Sequence, residues 1–270
     1  MKRTILKSFA GLLLSGLILS RCGAFHVTDR KQLILVSDQE LFQAGLIQYK
    51  DYLNGATVSS NASSTAMVKR VGSKLAAATE SYLRSVGLQS EISNFAWEFN
   101  LVKDTQVNAF CMPGGKIVVY EGLLTVAKTE EELAVVLGHE IAHAVAKHSN
   151  ERMSQEILAQ YGMSILSNVL SDKSAAVRNT ATTVFGLGAQ VGVMLPYSRK
   201  HEYEADYMGI VFMEMAGYDS QAAVTFWQRM SSLGSGSSLE LLSTHPSDAK
   251  RIANLQNKIP EAKSLAQNMK

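Results

Sequence analysis

The chain has 270 residues and is 46% hydrophobic, which is enough apolar material for one substantial core. Its formal net charge is +2, and the basic residues are spread along the sequence rather than concentrated in one stretch. Nucleic acid is therefore excluded as a partner, because its recognition needs a concentrated basic surface.

The first 22 residues predict an export signal. Basic residues at the start precede an apolar stretch from Phe9 to Leu19, which is short for a membrane span. Cys22 follows directly, as in a bacterial lipoprotein signal, although Arg21 stands where a small residue is usual. These features predict an exported protein of the periplasm or outer membrane, with Cys22 as the candidate lipid anchor to the membrane. The alternatives are ordinary secretion, a buried N-terminal helix or an uncleaved anchor.

The rest of the chain predicts an α+β fold that is mostly helical and carries a small antiparallel sheet. After the signal at residues 1–22 we expect an irregular segment (23–60), a main domain (61–260) and a C-terminal tail (261–270). Apolar residues at helical spacing predict a helix near residues 64–86, and alternation predicts a strand over 94–102. A hairpin follows around a Pro-Gly-Gly turn, with strands at 107–111 and 116–120. Further helices are predicted near residues 151–169, 175–194, 199–216, 220–233 and 247–258.

One predicted helix carries a group of chemically active residues. Thr129 and Glu132 form a capping-box signature at its start. His139 and His143 follow four residues apart, so both imidazoles share one helix face and can bind one ion. Glu140 lies beside the first histidine, where its carboxylate can accept a proton from water without occupying a ligand position. This pattern predicts a metal-dependent hydrolase.

A catalytic zinc site needs a third protein ligand. The best source is the predicted helix near 199–216, where Glu202 and Asp206 are four residues apart and share a face. Glu204 lies about 200° away from Glu202 around the helix, so we expect it not to join that group. We interpret His148 and His201 as structural, because neither is predicted to face the metal.

The motif His139-Glu140-x-x-His143, followed by Glu202-x-x-Ala205-Asp206, resembles the M48 family of gluzincin metallopeptidases. The similarity extends to Asn108-Ala109-Phe110 with the Pro-Gly-Gly turn, and to Thr244-His245-Pro246 followed by Arg251. These elements follow the family's order over about residues 60–260. The resemblance implies a zincin-like domain that binds one Zn²⁺ per chain through His139, His143 and Glu202. It further implies Glu140 as general base, with Asp206 orienting a ligand histidine or assisting proton transfer.

The resemblance also implies a cleft for protein or peptide substrates. Asn108, Ala109 and Phe110 match the family's edge strand, which binds an extended peptide; the alternative is that they are sheet core. His245 is expected near the metal, either as a donor to the oxyanion or as a fourth ligand that blocks water, and the alternative is a residue at a helix start. The expected function is cleavage of unfolded or misassembled cell-envelope proteins. A chaperone-like assembly factor with zinc and little or no proteolysis is the alternative, and the oligomeric state is not predicted.

Overall fold

The computed structural model describes residues 24–25, 30–169, 198–233, 240–245 and 249–269. Cys22, the export signal and the helix predicted near 175–194 lie outside these ranges. Lipidation of Cys22 therefore stays a prediction.

The described helices and strands can be given in chain order. The helices are α1 (Asp38–Gly55), α2 (Ala62–Ser85), α3 (Glu130–Val145), α4 (His148–Val169), α5 (Arg199–Met215), α6 (Ala222–Ser232), α7 (Glu240–Thr244) and α8 (Ala249–Asn268). The strands are β1 (Ala24–Phe25), β2 (Arg30–Lys31), β3 (Glu98–Val102), β4 (Ala109–Met112) and β5 (Lys116–Tyr120). Two 3-10 helices span Gln89–Asn94 and Glu121–Thr125.

The chain divides into two compact units, and the smaller one comprises residues 1–37 and 150–194. Its strands β1 and β2 form a short antiparallel ladder. The segment after β2 is attached to α4: Arg30 Nη1 lies 2.7 Å from the Glu151 carboxylate, and the Leu35 backbone N–H donates to Ser154 Oγ at 2.8 Å. Polar contacts therefore tie this segment to the part of α4 that belongs to the same unit.

The larger unit comprises residues 38–149 and 195–270 and contains a three-stranded sheet with helices packed around it. The predicted fold class is confirmed. The sheet order is β3-β5-β4, with β4 antiparallel to β5 but β3 parallel to it. The sheet is therefore mixed and not wholly antiparallel as predicted. The central strand β5 is buried along its whole length, as expected for a strand with neighbours on both sides.

Two expectations at the ends of the main domain are wrong. Residues 23–60 were expected to be irregular, yet Asp38–Gly55 forms the 18-residue helix α1. Its apolar positions 42, 46, 49 and 53 follow helical spacing, and the buried Tyr49 packs against the sheet. The tail at 261–270 is also not separate, because α8 continues through Pro260 to Asn268.

Helices α3 and α5 cross at a contact between two glycines. A Cβ atom on Gly138 would lie 3.1 Å from the Gly209 carbonyl oxygen, and one on Gly209 would lie 3.1 Å from the Gly138 carbonyl carbon. The two backbones can touch here only because both positions lack a side chain. Since His139 follows Gly138 directly, this crossing sets the distance between the residues that the two helices contribute to the site.

Within the described residues we find no helix whose length and hydropathy would suit a transmembrane span.

Candidate zinc site

Helix α3 is capped at its start and buried along most of its length. Thr129 Oγ1 accepts from the Glu132 backbone N–H at 3.2 Å, while the Glu132 carboxylate accepts from the Lys128 N–H at 2.7 Å. The reciprocal bonds match a capping box, except that the glutamate reaches one residue further back. From Leu133 to His143 the helix is buried, so His139, Glu140 and His143 lie in the interior of the larger unit.

Four buried side chains converge at the crossing of α3 and α5. Among the described residues, His139, His143, Glu202 and His245 each offer one ligand atom, and these atoms all lie within 4.8 Å of one another. His139 Nε2 lies 3.0 Å from His143 Nε2 and 3.2 Å from His245 Nδ1. Glu202 Oε1 lies 3.3 Å from His143 Nε2 and 3.0 Å from His245 Nδ1.

This donor set fits zinc. Three imidazoles and one carboxylate are ligand types that zinc prefers, and four is its usual coordination number. Their lone pairs would be costly to bury without an ion or protons between them. The structure places His245 among the possible ligands. Its spacing in the sequence could not show this, because it lies far along the chain from the other three residues.

The carboxylate of Glu140 is positioned beside the ligand group but does not belong to it. Its side chain is 5% exposed, and no hydrogen bond to Oε1 is found among the described residues. His245 Nε2 lies 3.3 Å from Oε1 without the alignment of a hydrogen bond. A buried carboxylate oxygen with an open hydrogen-bonding position is suited to accept a proton.

Asp206 and Arg251 contact two of the ligand residues and support them. Asp206 Oδ1 lies 3.0 Å from His139 Nδ1, so it can orient the imidazole whose Nε2 faces the cluster. Arg251 donates to both oxygens of Asp206, at 2.6 and 2.8 Å, and its Nη1 lies 2.7 Å from Glu202 Oε2. Its guanidinium also lies over the Trp227 ring at 4.5 Å. The resemblance included Arg251, but its role in fixing two carboxylates follows only from the structure.

Burial and the neighbouring charges together shift the pKa values of the groups in the cluster. Burial alone would raise the pKa of Glu202, but His139 and its other histidine partners hold that pKa well below the ordinary value. Burial would lower the pKa of His139, yet the carboxylates of Glu202 and Asp206 raise it. For His143, burial and the neighbouring His139 both lower the pKa.

His148 and Glu204, which were not predicted to belong to the site, form a chain of contacts that reaches the ligand His143. His148 Nδ1 lies 2.9 Å from His143 Nδ1, and His148 Nε2 lies 3.1 Å from Glu204 Oε2. His201 stacks on His148, with 4.4 Å between ring centroids. These residues were missed because helical spacing placed His148 and His201 off the metal face and Glu204 about 200° from Glu202, and spacing along one helix says nothing about contacts between helices.

Strand β4 lies at an edge of the sheet, as predicted. It pairs with β5 on one side, and no described strand pairs with its other side. Asn108 and Ala109 are buried at its start, whereas Phe110 packs edge-on against Tyr52 and Tyr120. The ring of Phe110 therefore belongs to a hydrophobic cluster under α1, and what β4 can offer a substrate at this residue is its backbone.

Cys111 follows on β4 and is a free cysteine. Burial, and to a smaller extent the charge of Glu140, raise the pKa of its thiol.

Residues 63–259 match peptidase family M48. The chain belongs to this family. The match confirms the predicted metalloendopeptidase class and, together with the ligand cluster, the prediction of zinc as the cofactor of this M48 protein.

Curated M48 relatives include the mitochondrial metalloendopeptidase OMA1 of Schizosaccharomyces pombe, which is 37% identical over 67% of this chain and 52% of the relative. OMA1 of Arabidopsis thaliana is 39% identical over 60% of this chain and 31% of its own length. The beta-barrel assembly-enhancing protease of Yersinia pestis is 30% identical over 62% of this chain and 35% of its own. The chain thus spans about half or less of the length of these relatives.

The predicted location in the periplasm or outer membrane is wrong. It is contradicted by the relatives that are named as mitochondrial proteins. The prediction relied on basic residues followed by an apolar stretch, and basic N-terminal segments also direct proteins to mitochondria, so this pattern does not identify a compartment.

Proposed function

We propose that the protein is a zinc-dependent endopeptidase in which His139, His143 and Glu202 hold the metal and Glu140 is the general base. The observation that supports this most directly is the convergence of buried zinc-type ligands beside a carboxylate oxygen that has no hydrogen bond from any described residue. Both features are needed for hydrolysis, whereas a structural zinc site needs only the ligands.

Each residue has a distinct part in the proposed reaction. When bound, zinc would polarise the scissile carbonyl and lower the pKa of water. Glu140 accepts the proton of the attacking water and can pass it to the departing amine. Asp206 holds Nδ1 of His139, so that Nε2 remains directed at the ligand cluster.

The proposed substrate is an extended stretch of polypeptide. The edge of β4 that no described strand pairs with can hydrogen-bond to a peptide backbone whatever the side chains of that peptide, which favours unfolded over folded protein substrates. Asn108, Ala109 and Phe110 would contribute through their backbone. Unfolded or misassembled proteins remain our proposed natural substrates, and the name of the Yersinia pestis relative, which refers to beta-barrel assembly, supports this.

We also propose that His245 is a fourth ligand that limits access of water. Its Nδ1 is the atom that faces the other ligands, whereas an oxyanion donor would need to face a substrate carbonyl. The His245→Ala variant should then cleave faster than the wild type at equal zinc content. A large loss of cleavage would instead support the role of oxyanion donor.

The alternative of an assembly factor with no proteolysis is not favoured. The chain belongs to a peptidase family, and such a factor would have no use for Glu140 beside the ligands. Binding of substrates without cleavage would be its signature in the experiment below.

The test is cleavage of casein by the full chain, with zinc content measured on the same samples, comparing wild type and Glu140→Gln. We expect zinc in both proteins, and a loss of about 10²- to 10⁴-fold in cleavage for the variant, the usual contribution of a general base. Glu131→Gln makes the same chemical change on the first turn of the same helix and should keep full activity.

Absence of zinc from the wild type would overturn the proposal. Equal cleavage by wild type and Glu140→Gln would refute the role of Glu140. Binding without cleavage by the wild type, unchanged in His245→Ala, would favour the assembly factor.

A further inference from the structure

His143 is contacted on both of its ring nitrogens. Its Nε2 faces the other ligands, 3.0 Å from His139 Nε2, while its Nδ1 lies 2.9 Å from Nδ1 of His148. His148 is fully buried, and its other nitrogen lies 3.1 Å from Glu204 Oε2. A continuous line of contacts therefore runs from the ligand cluster through two imidazoles to a buried carboxylate.

A break between two helices brings His148 to this position. Helix α3 ends at Val145 and α4 begins at His148, and Lys147 between them has a φ of 57°. A left-handed residue reverses the local course of the chain, so that His148 returns towards His143 instead of continuing around α3. Lys147 is fixed by ion pairs with Asp38 at 2.6 Å and Glu91 at 2.8 Å.

His148 is restrained by its surroundings as well. His201 stacks on it with the ring planes 27° apart, and Glu204 is 3% exposed at its side chain. Both residues are on α5, the helix that also supplies Glu202. One face of α5 thus provides the ligand Glu202. Another face provides His201 and Glu204, which hold His148 against the ligand His143.

The positions of the protons along this line follow from the bonding requirements of each group. If Nε2 of His143 binds a metal, its remaining proton is on Nδ1, which must then donate to Nδ1 of His148. His148 must in turn carry its proton on Nε2, where the acceptor is the carboxylate of Glu204. With the protons in these positions, each group accepts from the one before it, and Nε2 of His143 is left free for zinc.

We propose that His148 and Glu204 are positioning residues for the zinc ligand His143, a proposal that rests on the zinc site described above. They hold its ring in the tautomer and orientation that bind the metal. His139 has an equivalent support in Asp206, which contacts its Nδ1 directly. The two ligands of α3 are therefore held in different ways, one by a carboxylate and the other by a histidine that a carboxylate orients.

The test measures zinc affinity of the full chain by competition with a chelator, together with the melting temperature of the metal-free protein. His148→Leu removes the acceptor for His143, and we expect it to weaken zinc binding by about 10- to 100-fold, the range typical for loss of such support. His148→Gln keeps an acceptor oxygen and should weaken zinc binding less. In Thr79→Val, which removes a buried hydrogen bond within α2, zinc affinity should remain that of the wild type.

Two further readouts separate positioning from a merely structural role. The cobalt-substituted His148→Leu protein should have altered visible absorption bands, because these bands report the geometry of the ligands. In a double-mutant cycle with Glu204→Leu, the two losses in zinc affinity should be strongly non-additive, since Glu204 acts through His148.

Wild-type zinc affinity and cobalt bands in His148→Leu would overturn the proposal. So would equal losses in the Leu and Gln variants, or additive losses in the cycle. If His148→Leu does not fold, Glu204→Leu alone should still weaken zinc binding, and an unchanged affinity there would equally count against the proposal. Failure of the wild type to bind zinc would instead overturn the proposed function itself.

Discussion

The glycine contact between α3 and α5 provides a sensitive test of how the fold sets the zinc site. In Gly209→Ala the new Cβ atom would lie 3.1 Å from the Gly138 carbonyl carbon and from the His139 backbone nitrogen. Both neighbours are backbone atoms, which cannot rotate away. Since ordinary contacts begin at 3.4 Å, the two helices must move apart here by a few tenths of an ångström.

The separation should affect zinc binding more than folding. Overpacking of this kind costs about 1–3 kcal/mol, but alanine recovers about 1 kcal/mol through its higher helix propensity, so the metal-free protein loses about 0–2 kcal/mol. Zinc, in contrast, tolerates ligand displacements of only about 0.2 Å. Zinc binding must draw the two helices together again and therefore meets the overpacking cost of about 1–3 kcal/mol. A loss of that size in binding free energy corresponds to about 5- to 150-fold weaker zinc affinity.

The assay is chelator competition for zinc, with urea unfolding of the metal-free protein measured in parallel. Gly55→Ala is the matched control, because no heavy atom lies within 4 Å of the added Cβ, and its zinc affinity should be unchanged. Wild-type zinc affinity in Gly209→Ala would refute the reasoning, since it would mean that this crossing does not determine the distance between the ligands.

Three other predictions concern the surroundings of the site and the metal itself. Arg251→Met leaves the carboxylates of Asp206 and Glu202 buried without their cation, so the free energy of unfolding in urea should fall by about 3–5 kcal/mol. Arg251→Lys should recover this stability only in part. A loss below about 1 kcal/mol in Arg251→Met would contradict the prediction. In urea unfolding, Lys147→Ala should be less stable than Lys147→Gly by about 1 kcal/mol. Both variants lose the same ion pairs, but only glycine adopts a positive φ without strain. The opposite order of stability would show that the backbone at residue 147 is not strained. Treatment with EDTA should abolish casein cleavage and added zinc should restore it, whereas cleavage that persists in EDTA would exclude the proposed mechanism.

The sequence by itself determined the chemistry of α3 and much of the site. The capping residues of α3 and the four-residue spacing of His139 and His143 are local features, and helix geometry converts that spacing into a shared face. The same reasoning selected Glu202 and Asp206 on α5, although which of the two faces the ligands and which supports His139 was supplied by resemblance and not by periodicity.

Only the tertiary structure decided which distant residues meet. The parallel pairing of β3 with β5 depends on contacts between segments far apart in sequence, and the pattern of β3 is compatible with either direction. The position of His245 among the ligands likewise depends on long-range packing.

His148 illustrates the limit of local reasoning most directly. Counted along a continuous helix, it points away from the metal, and Glu204 points away from Glu202. The left-handed conformation of Lys147 breaks that count, and lysine gives no sequence signal for it, because it is held there by Asp38 and Glu91 from other parts of the chain. Helical periodicity thus identified the two histidines of α3 and the candidate carboxylates of α5, while the break between α3 and α4 and the packing of α5 determined which residues contact the ligand His143.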